Sequence, residues 1–398
     1  MPDRFANGDP SNDSAEEMNQ IAVMRDRIYQ RHGGDLQGVT GNLDYLKELG
    51  VTAVWLNPVF ENDQPTQSYH GYAITDHYEV DKRLGGAKAY RELSDQLNNR
   101  GMKLVKDVIY NHMGSEHFLH KDPFSTDVVH QWPEFYRTNY RSTIVMDPYA
   151  STHDKKQFAD GWFDLSMPDV NQHNDHMSTY LIQNTLWWVE TFGLDGLRID
   201  TYAYSDHDFM KRLVKTVQDQ YPQLTVFGEV WEDEKVGLNY WQNDSPLEGL
   251  IDFTLHFAVS KALKEKPGWN EGVAQLYYAL VNDGNLKNPS ANVTFLDNHD
   301  KSRYYSELGE DMDKWKMGMT LLFTLRGIPM LYYGTEILMP NFSNPDGFVR
   351  MDFPGGWATD PKSLFDSRER TGKIADAWNF ISTFANYRKN HPALHKGK

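Results

Sequence analysis

Three acidic residues each follow a short β-type run: Asp200 closes GLRID, Glu229 sits in FGEV and Asp300 ends FLDNHD. Such carboxyls suit double displacement at an anomeric carbon. One attacks, while a second first protonates the leaving oxygen and then activates water, which requires a separation of about 5–5.5 Å. A single acid after a strand serves equally well as the cap of the next helix. The companions weigh against that reading for all three. Arg198 and Asp200 share alternation parity, so both point to one face of an extended strand. A fixed cation there holds a carboxylate ionised. His299 stands beside Asp300.

To act together, the acids must lie at the C-terminal ends of neighbouring parallel strands, the face that carries chemistry in closed α/β barrels. Short apolar runs do alternate with helix-period segments along the chain, as a parallel α/β fold requires. Leu43, Leu46 and Leu49 mark a short helix stopped by Gly50, before the strand VTAVWLNPVF. Ala89, Leu93 and Leu97 mark the next helix, before MKLVKDVIYNH. Ile182, Leu186 and Val189 define a face of the helix that leads into GLDGLRID. Further strands are expected in LTVFGEV, GLIDFTL, NVTFLDNHD and IPMLYYGTE, and a final helix in IADAWNFISTFANYRK. These make seven strands, whereas a (β/α)8 barrel has eight. The first strand is therefore expected to be truncated, before or within MPDRF. Two free strand edges would follow, with reduced stability, or closure by residues 1–6 or a partner chain. Residues 1–112 and 177–398 form the expected barrel. The stretch 113–176, rich in His, Asp, Tyr and Trp, breaks the rhythm and reads as an inserted subdomain, since structureless loops of that length are uncommon.

Composition narrows the partners. The 398 residues carry a formal charge of −16, which argues against nucleic acid. Cysteine is absent, which excludes disulfides, thiolate metal sites and cysteine nucleophiles. No apolar run of about 18 residues exists to span a membrane, and no signal peptide is visible at the N-terminus. Aromatic content is high at 13%, with 11 Trp and 22 Tyr, which suits the covering of apolar sugar faces.

DVIYNH (107–112), GLRID (196–200), GEV (228–230) and FLDNHD (295–300) resemble, in order, the four short motifs of glycoside hydrolase family 13, the α-amylase family. MPDVN (167–171), YHGY (69–72) and DFPGGW (352–357) are similar to its neopullulanase and cyclomaltodextrinase subgroup. The likeness covers essentially the whole chain. It implies a TIM barrel with a B domain after the third strand, acting as a retaining hydrolase on α-1,4 bonds of maltodextrins, cyclomaltodextrins or pullulan. By resemblance Asp200 is the nucleophile, Glu229 the acid/base and Asp300 the residue that binds sugar hydroxyls. His112 and His299 would bond the sugar at the cleavage point, Tyr72 would stack on it, and Arg198 would orient Asp200. Asp107 would support the site, and Asn111 is a metal-ligand position that calcium does not always occupy. Thr201 after the nucleophile accompanies α-1,4 cleavage. Trp231 is either a platform on the leaving-group side or core. The active-site motifs do not separate hydrolysis from same-family glucosyl transfer or isomerisation, and a catalytically inactive carbohydrate-binding protein is the reading from another class.

Asn7, Asp9, Asn12 and Asp13 fall in one turn, and Gly33 and Asp35 follow in GGD. Five side chains and a carbonyl near Gly33 would meet the six to eight oxygens that calcium takes, although Asx-rich turns usually hold no metal. The pattern resembles the structural calcium loop of neopullulanase-type members. No catalytic cofactor is expected. Subgroup members usually carry N- and C-terminal β-domains outside the core, and the resemblance implies a homodimer where the N-terminal domain is present. A bacterial periplasmic or cytoplasmic location would fit equally.

Overall fold

The computed structural model describes residues 1–20, 22–123 and 125–396. Nine strands are found among them. In chain order they are β1 (Ala53–Leu56), β2 (Phe60–Glu61), β3 (Asp76–Val80), β4 (Lys103–Ile109), β5 (Gly196–Asp200), β6 (Thr225–Gly228), β7 (Gly249–Leu250), β8 (Val293–Thr294) and β9 (Ile328–Pro329). One parallel sheet runs β1-β4-β5-β6-β7. A parallel bridge from Ile251 to Val293 carries it on to the β8–β9 pair. The array is that of a (β/α)8 barrel with seven strand positions filled, as the apolar runs predict.

The helices form for local reasons. Residues Leu43–Leu49 end at Gly50, whose φ of 101° lets its N–H reach back to Leu46 and Lys47 carbonyls. Helix Gly86–Asn99 buries Ala89, Leu93 and Leu97, the expected stripe. Helix Asp175–Phe192 is capped by the Asn174 side chain. Its buried face is centred on Leu181, Thr185 and Trp188, with Val189 at its edge, while Ile182 and Leu186 are only half buried. The face is rotated because Asn184 and Trp188 both donate to the His77 carbonyl, at 2.7 Å each. All of β5 is buried, as expected for a parallel strand covered on both sides.

Two features depart from the sequence expectation. VTAVWLNPVF is not one strand: it breaks after Leu56, and Phe60–Glu61 pairs antiparallel with β3 outside the barrel. Residues 1–6 do not close the barrel, because Pro2–Phe5 is a buried helical turn with Phe5 packed on Tyr333, Phe353 and Phe365. Among the described residues, β1 therefore pairs only with β4, and β9 only with β8.

Between β4 and helix Asp175–Phe192 the chain makes an excursion with short helices Phe118–Lys121 and Thr152–Asp160. It is tied back to the barrel by an antiparallel bridge at His112–Asp169, and a second bridge at Val129–Val170 holds it to itself. Beneath β4, Lys106 is fully buried. Its Nζ has no hydrogen-bond partner and lies 3.5 Å from the ring centroids of both Phe60 and Trp188.

Candidate active site

Parallel register sets the site. Asp107 on β4 lies beside Arg198 on β5, which lies beside Phe227 on β6. Glu229 follows β6 directly, so the barrel places Asp107, Arg198, Asp200 and Glu229 side by side at the C-terminal strand ends. Arg198 is fully buried and is their hub. Its Nη1 donates to Asp107 Oδ1 at 2.8 Å and to Asp200 Oδ1 at 2.6 Å. Its Nη2 makes an ion-pair approach of 2.8 Å to Glu229 Oε1, outside hydrogen-bond alignment. The other oxygens of the two carboxyls meet at Thr201. The Thr201 N–H donates to Glu229 Oε2 at 3.2 Å, and Thr201 Oγ1 donates to Asp200 Oδ2 at 3.1 Å. Thr201 does so with φ of 45°, a costly conformation for a β-branched residue and one that clusters at functional sites.

The electrostatics divide the acids. Burial pushes Glu229 up to about 8; Arg198 opposes this, while Asp200 and Asp300 reinforce it. Burial likewise raises Asp107 to about 7 against the pull of Arg198. For Asp300 burial is outweighed by His299, Arg350 and Arg198, which hold it below the usual carboxylate range. Burial lowers His112 and His299 to about 4, so both rings are neutral near pH 7.

The third acid arrives on the loop after β8. Arg350 fixes it, donating Nη2 to Asp300 Oδ1 at 2.9 Å and Nε to the His299 carbonyl at 2.8 Å. Tyr72 stacks on His299 with rings 5.5 Å apart and 9° between planes, and its hydroxyl donates to Asp107 Oδ2 at 3.1 Å. His112 stacks on Phe163 from the excursion at 5.1 Å, and its Nε2 is buried with no partner. A neutral ring nitrogen so placed can meet a ligand hydroxyl. Trp231 is 44% exposed, with one face on Phe253 at 4.7 Å and Lys301 Nζ 5.1 Å from its ring. It is thus a partly open ring at the rim and not core.

Tyr72, Arg198, Asp200, Glu229, His299 and Asp300 are therefore linked in one network with Asp107, and His112 lies within the electrostatic reach of Asp200. Sequence reasoning passed over Trp55, Asn57 and Arg350. Trp55 Nε1 donates to Asp107 Oδ2 at 3.1 Å, and Asn57 Nδ2 donates to the Tyr72 hydroxyl at 2.9 Å. The available signal was polarity inside apolar runs: Asn57 ends WLN, and Arg350 directly precedes MDFPGGW.

The candidate metal residues also come together, away from this mouth. Asn7 Nδ2 donates to Asp13 Oδ1 at 2.8 Å and Asn12 Nδ2 to Asp35 Oδ2 at 3.0 Å. Gly33 packs so tightly on Asp13 that a Cβ there would lie 2.6 Å from Oδ1. Asn7 Oδ1 and Asn12 Oδ1 are buried without partners, which fits a hard cation that takes amide, carbonyl and carboxylate oxygens. Asp35 is already occupied by the N–H groups of Gly8, Asp9 and Gly38. Asp9 accepts from Ser11. Asn111 Oδ1, at the other candidate position, is also without a partner.

Fold and mouth define the class: a (β/α)8 barrel with a glycosidase-type carboxylate site at its strand ends. Residues 1–382 match the family model described as the alpha amylase catalytic domain, and the chain belongs to the alpha-amylase family. It is 30% identical over 362 residues to neopullulanase 2 of Thermoactinomyces vulgaris, covering 87% of this chain and 57% of that protein. It is 28% identical over 351 residues to the cyclomaltodextrinase of Thermoanaerobacter pseudethanolicus, covering 87% and 58%. The chain thus spans little more than half the length of these curated relatives. Among solved structures, an alpha-amylase from Anoxybacillus matches with a TM-score of 0.81 at 29% identity, covering 100% of this chain and 78% of that one. An alpha-amylase from Geobacillus thermoleovorans, solved with acarbose, matches at 0.78 and 30% identity with the same coverages.

Proposed function

We propose that the chain hydrolyses α-1,4-glucosidic bonds of maltodextrins, cyclomaltodextrins or pullulan with retention of configuration. The observation that carries this is the shared clamp on two unlike carboxyls. Asp200 and Glu229 are both held by Arg198 and by Thr201, which supports a closely spaced pair of the kind that retention requires. Asp200, beside the guanidinium, is the carboxylate that attacks the anomeric carbon. Glu229, raised by burial, holds the proton that the departing glycosidic oxygen takes. The resulting glycosyl ester is then attacked by water, whose proton goes to Glu229 as the bond to Asp200 breaks. Asp300 is placed by Arg350 to accept sugar hydroxyls as charge builds on the ring. The names of the relatives and the acarbose in a similar structure support α-glucan as the substrate class.

The test is incubation with maltoheptaose, β-cyclodextrin and pullulan beside an Asp200→Asn control. Short maltooligosaccharides or panose should appear, and the variant should be slower by roughly a thousandfold or more. Unchanged substrate with a folded chain would overturn the reading in favour of a binding protein. Longer or cyclic transfer products would favour a transferase. We further propose a structural calcium ion held by Asn7, Asn12, Asp13 and the Gly33 region, with Asp9 and Asp35 bracing it. The ion would tie the N-terminal turn to residues 33–35.

A further inference from the structure

Helix Val273–Val281 reads VAQLYYALV and holds no charged residue. A helix without a polar face belongs in an interior, yet only one side of this one is covered. Ala279 is buried, and Leu276 and Leu280 pack on the core beside helix Phe253–Lys264. Val273, Tyr277 and Val281 form an outer row that is exposed. We propose that this outer face docks a second copy of the chain about a two-fold axis through Tyr277.

The face continues beyond the helix. Tyr278 lies edge-on to Tyr277, with rings 5.7 Å apart at 65°, and Lys235 Nζ sits 5.3 Å from its ring. Helix Lys235–Asp244 runs alongside, held by Asn239 and Asn282, which exchange amide hydrogen bonds of 3.1 and 2.8 Å. It presents Val236 to solvent. At the other end the Gly272 N–H donates to the Glu265 carboxylate at 2.9 Å, and the Gln275 amide donates to the Asn270 carbonyl. Both bonds fold the loop that carries Trp269 onto the first helical turn. Trp269 is 96% exposed. Together these six side chains present roughly 700 Å², more than the largest apolar patch of an ordinary monomer and close to the share of one partner in a standard interface.

Its own symmetry points to a second copy as the occupant. The row Val273, Tyr277, Val281 is a palindrome at helical spacing. Turned about an axis through Tyr277, it sets each Val273 against Val281 of the other copy and packs one i, i+4 ridge on another. The rim is self-complementary in the same sense. Lys266 and Glu271 flank one end of the row, and Asp283 and Lys287 flank the other. Antiparallel docking therefore brings acid and base together at both ends. Copies with a formal charge of −16 repel each other, and a rim of balanced charge is where they can meet. A basic partner would call for an acidic rim, and a sugar chain for rings without the three valines.

The experiment is sedimentation velocity on the full chain over a series of concentrations. The expected result is a reversible dimer with a Kd in the micromolar range or tighter. Tyr277→Asp should weaken it by about a hundredfold or more while circular dichroism stays unchanged. Val273→Glu and Val281→Lys should each be monomeric alone and should associate when mixed, because the two-fold sets the introduced charges against each other. A chain that stays monomeric at every concentration overturns the proposal. So does a dimer that Tyr277→Asp leaves intact, or a mixture of the two valine variants that fails to associate. A monomer whose fluorescence is quenched by maltoheptaose, with the quenching lost in Trp269→Ala, would overturn it in favour of a carbohydrate platform.

Discussion

At the scale of the residue, two carboxyls on one guanidinium take opposite roles because their surroundings differ. Glu229 is raised to about 8, with burial the leading cause, so it carries its proton through neutral pH and loses it above that value. The kcat/KM profile on maltoheptaose should therefore fall on its alkaline side with a midpoint near 8, about tenfold per pH unit beyond. Glu229→Gln should remove that limb along with most of the activity. A profile flat to pH 10 in the unsubstituted chain would refute the assignment. These acids were legible in the sequence because each sits in a compact motif beside its partners. Trp55 and Arg350 were not, since Trp55 meets Asp107 from 52 positions away and Arg350 meets the His299 carbonyl from 51. Periodicity carries no information about such contacts. Thr201 was singled out, but its left-handed backbone and double donation arise only when β5 and β6 lie in register.

Elements decide how firmly those residues are held. β1 has one paired edge, yet it supplies Trp55 to Asp107 and is followed by Asn57 for Tyr72. Trp55→Phe keeps the ring and deletes the donor. An oxygen left short of a partner in a buried site costs about 1–3 kcal/mol, so kcat/KM should fall by roughly tenfold, more in kcat than in KM. Unaltered kinetics would show that Asp107 needs no such brace. β4 carries a different strain. Lys106 faces only rings, and burial drives its amine well below its ordinary pKa. Between its lowered folded pKa and about 10.4 the unfolded chain then binds one more proton, so stability rises with pH across that window. Lys106→Met should raise the stability to denaturant by about 1–4 kcal/mol near pH 7. The gain should shrink as pH approaches about 10.4. A loss of stability on substitution would mean that the cation–ring contacts outweigh burial. Element positions were readable because apolar runs and glycine stops are local signals. The turn after Leu56 was not, because the antiparallel pairing of Phe60–Glu61 with β3 selects it, nor was the rotated face of helix Asp175–Phe192, which hydrogen bonds to the His77 carbonyl select.

For the whole molecule, the seven-strand count was visible in the sequence, but the helical path of residues 1–6 was not. PDRF packs as a turn because Phe5 finds an aromatic pocket made from residues more than 300 positions later. The same N-terminal segment holds the proposed calcium loop. At a hundredfold excess over its Kd, an ion bound only by the folded chain adds about 2.7 kcal/mol. Calcium should therefore raise Tm and a chelator reverse it, and Asn12→Ala should blunt both responses. No movement of Tm in either direction would sink the metal proposal. A last consequence concerns the excursion after β4. Its contacts at the catalytic mouth include Phe163 on His112, Phe158 and Phe163 on Tyr204, and the Ser142 hydroxyl on Glu232. Part of the catalytic mouth is thus a seam between the barrel and the excursion. Local opening of such a seam costs less than global unfolding. If the seam opens first, activity on heating should fade below the temperature at which the barrel melts; coincident midpoints for activity and circular dichroism would show that excursion and barrel unfold as one.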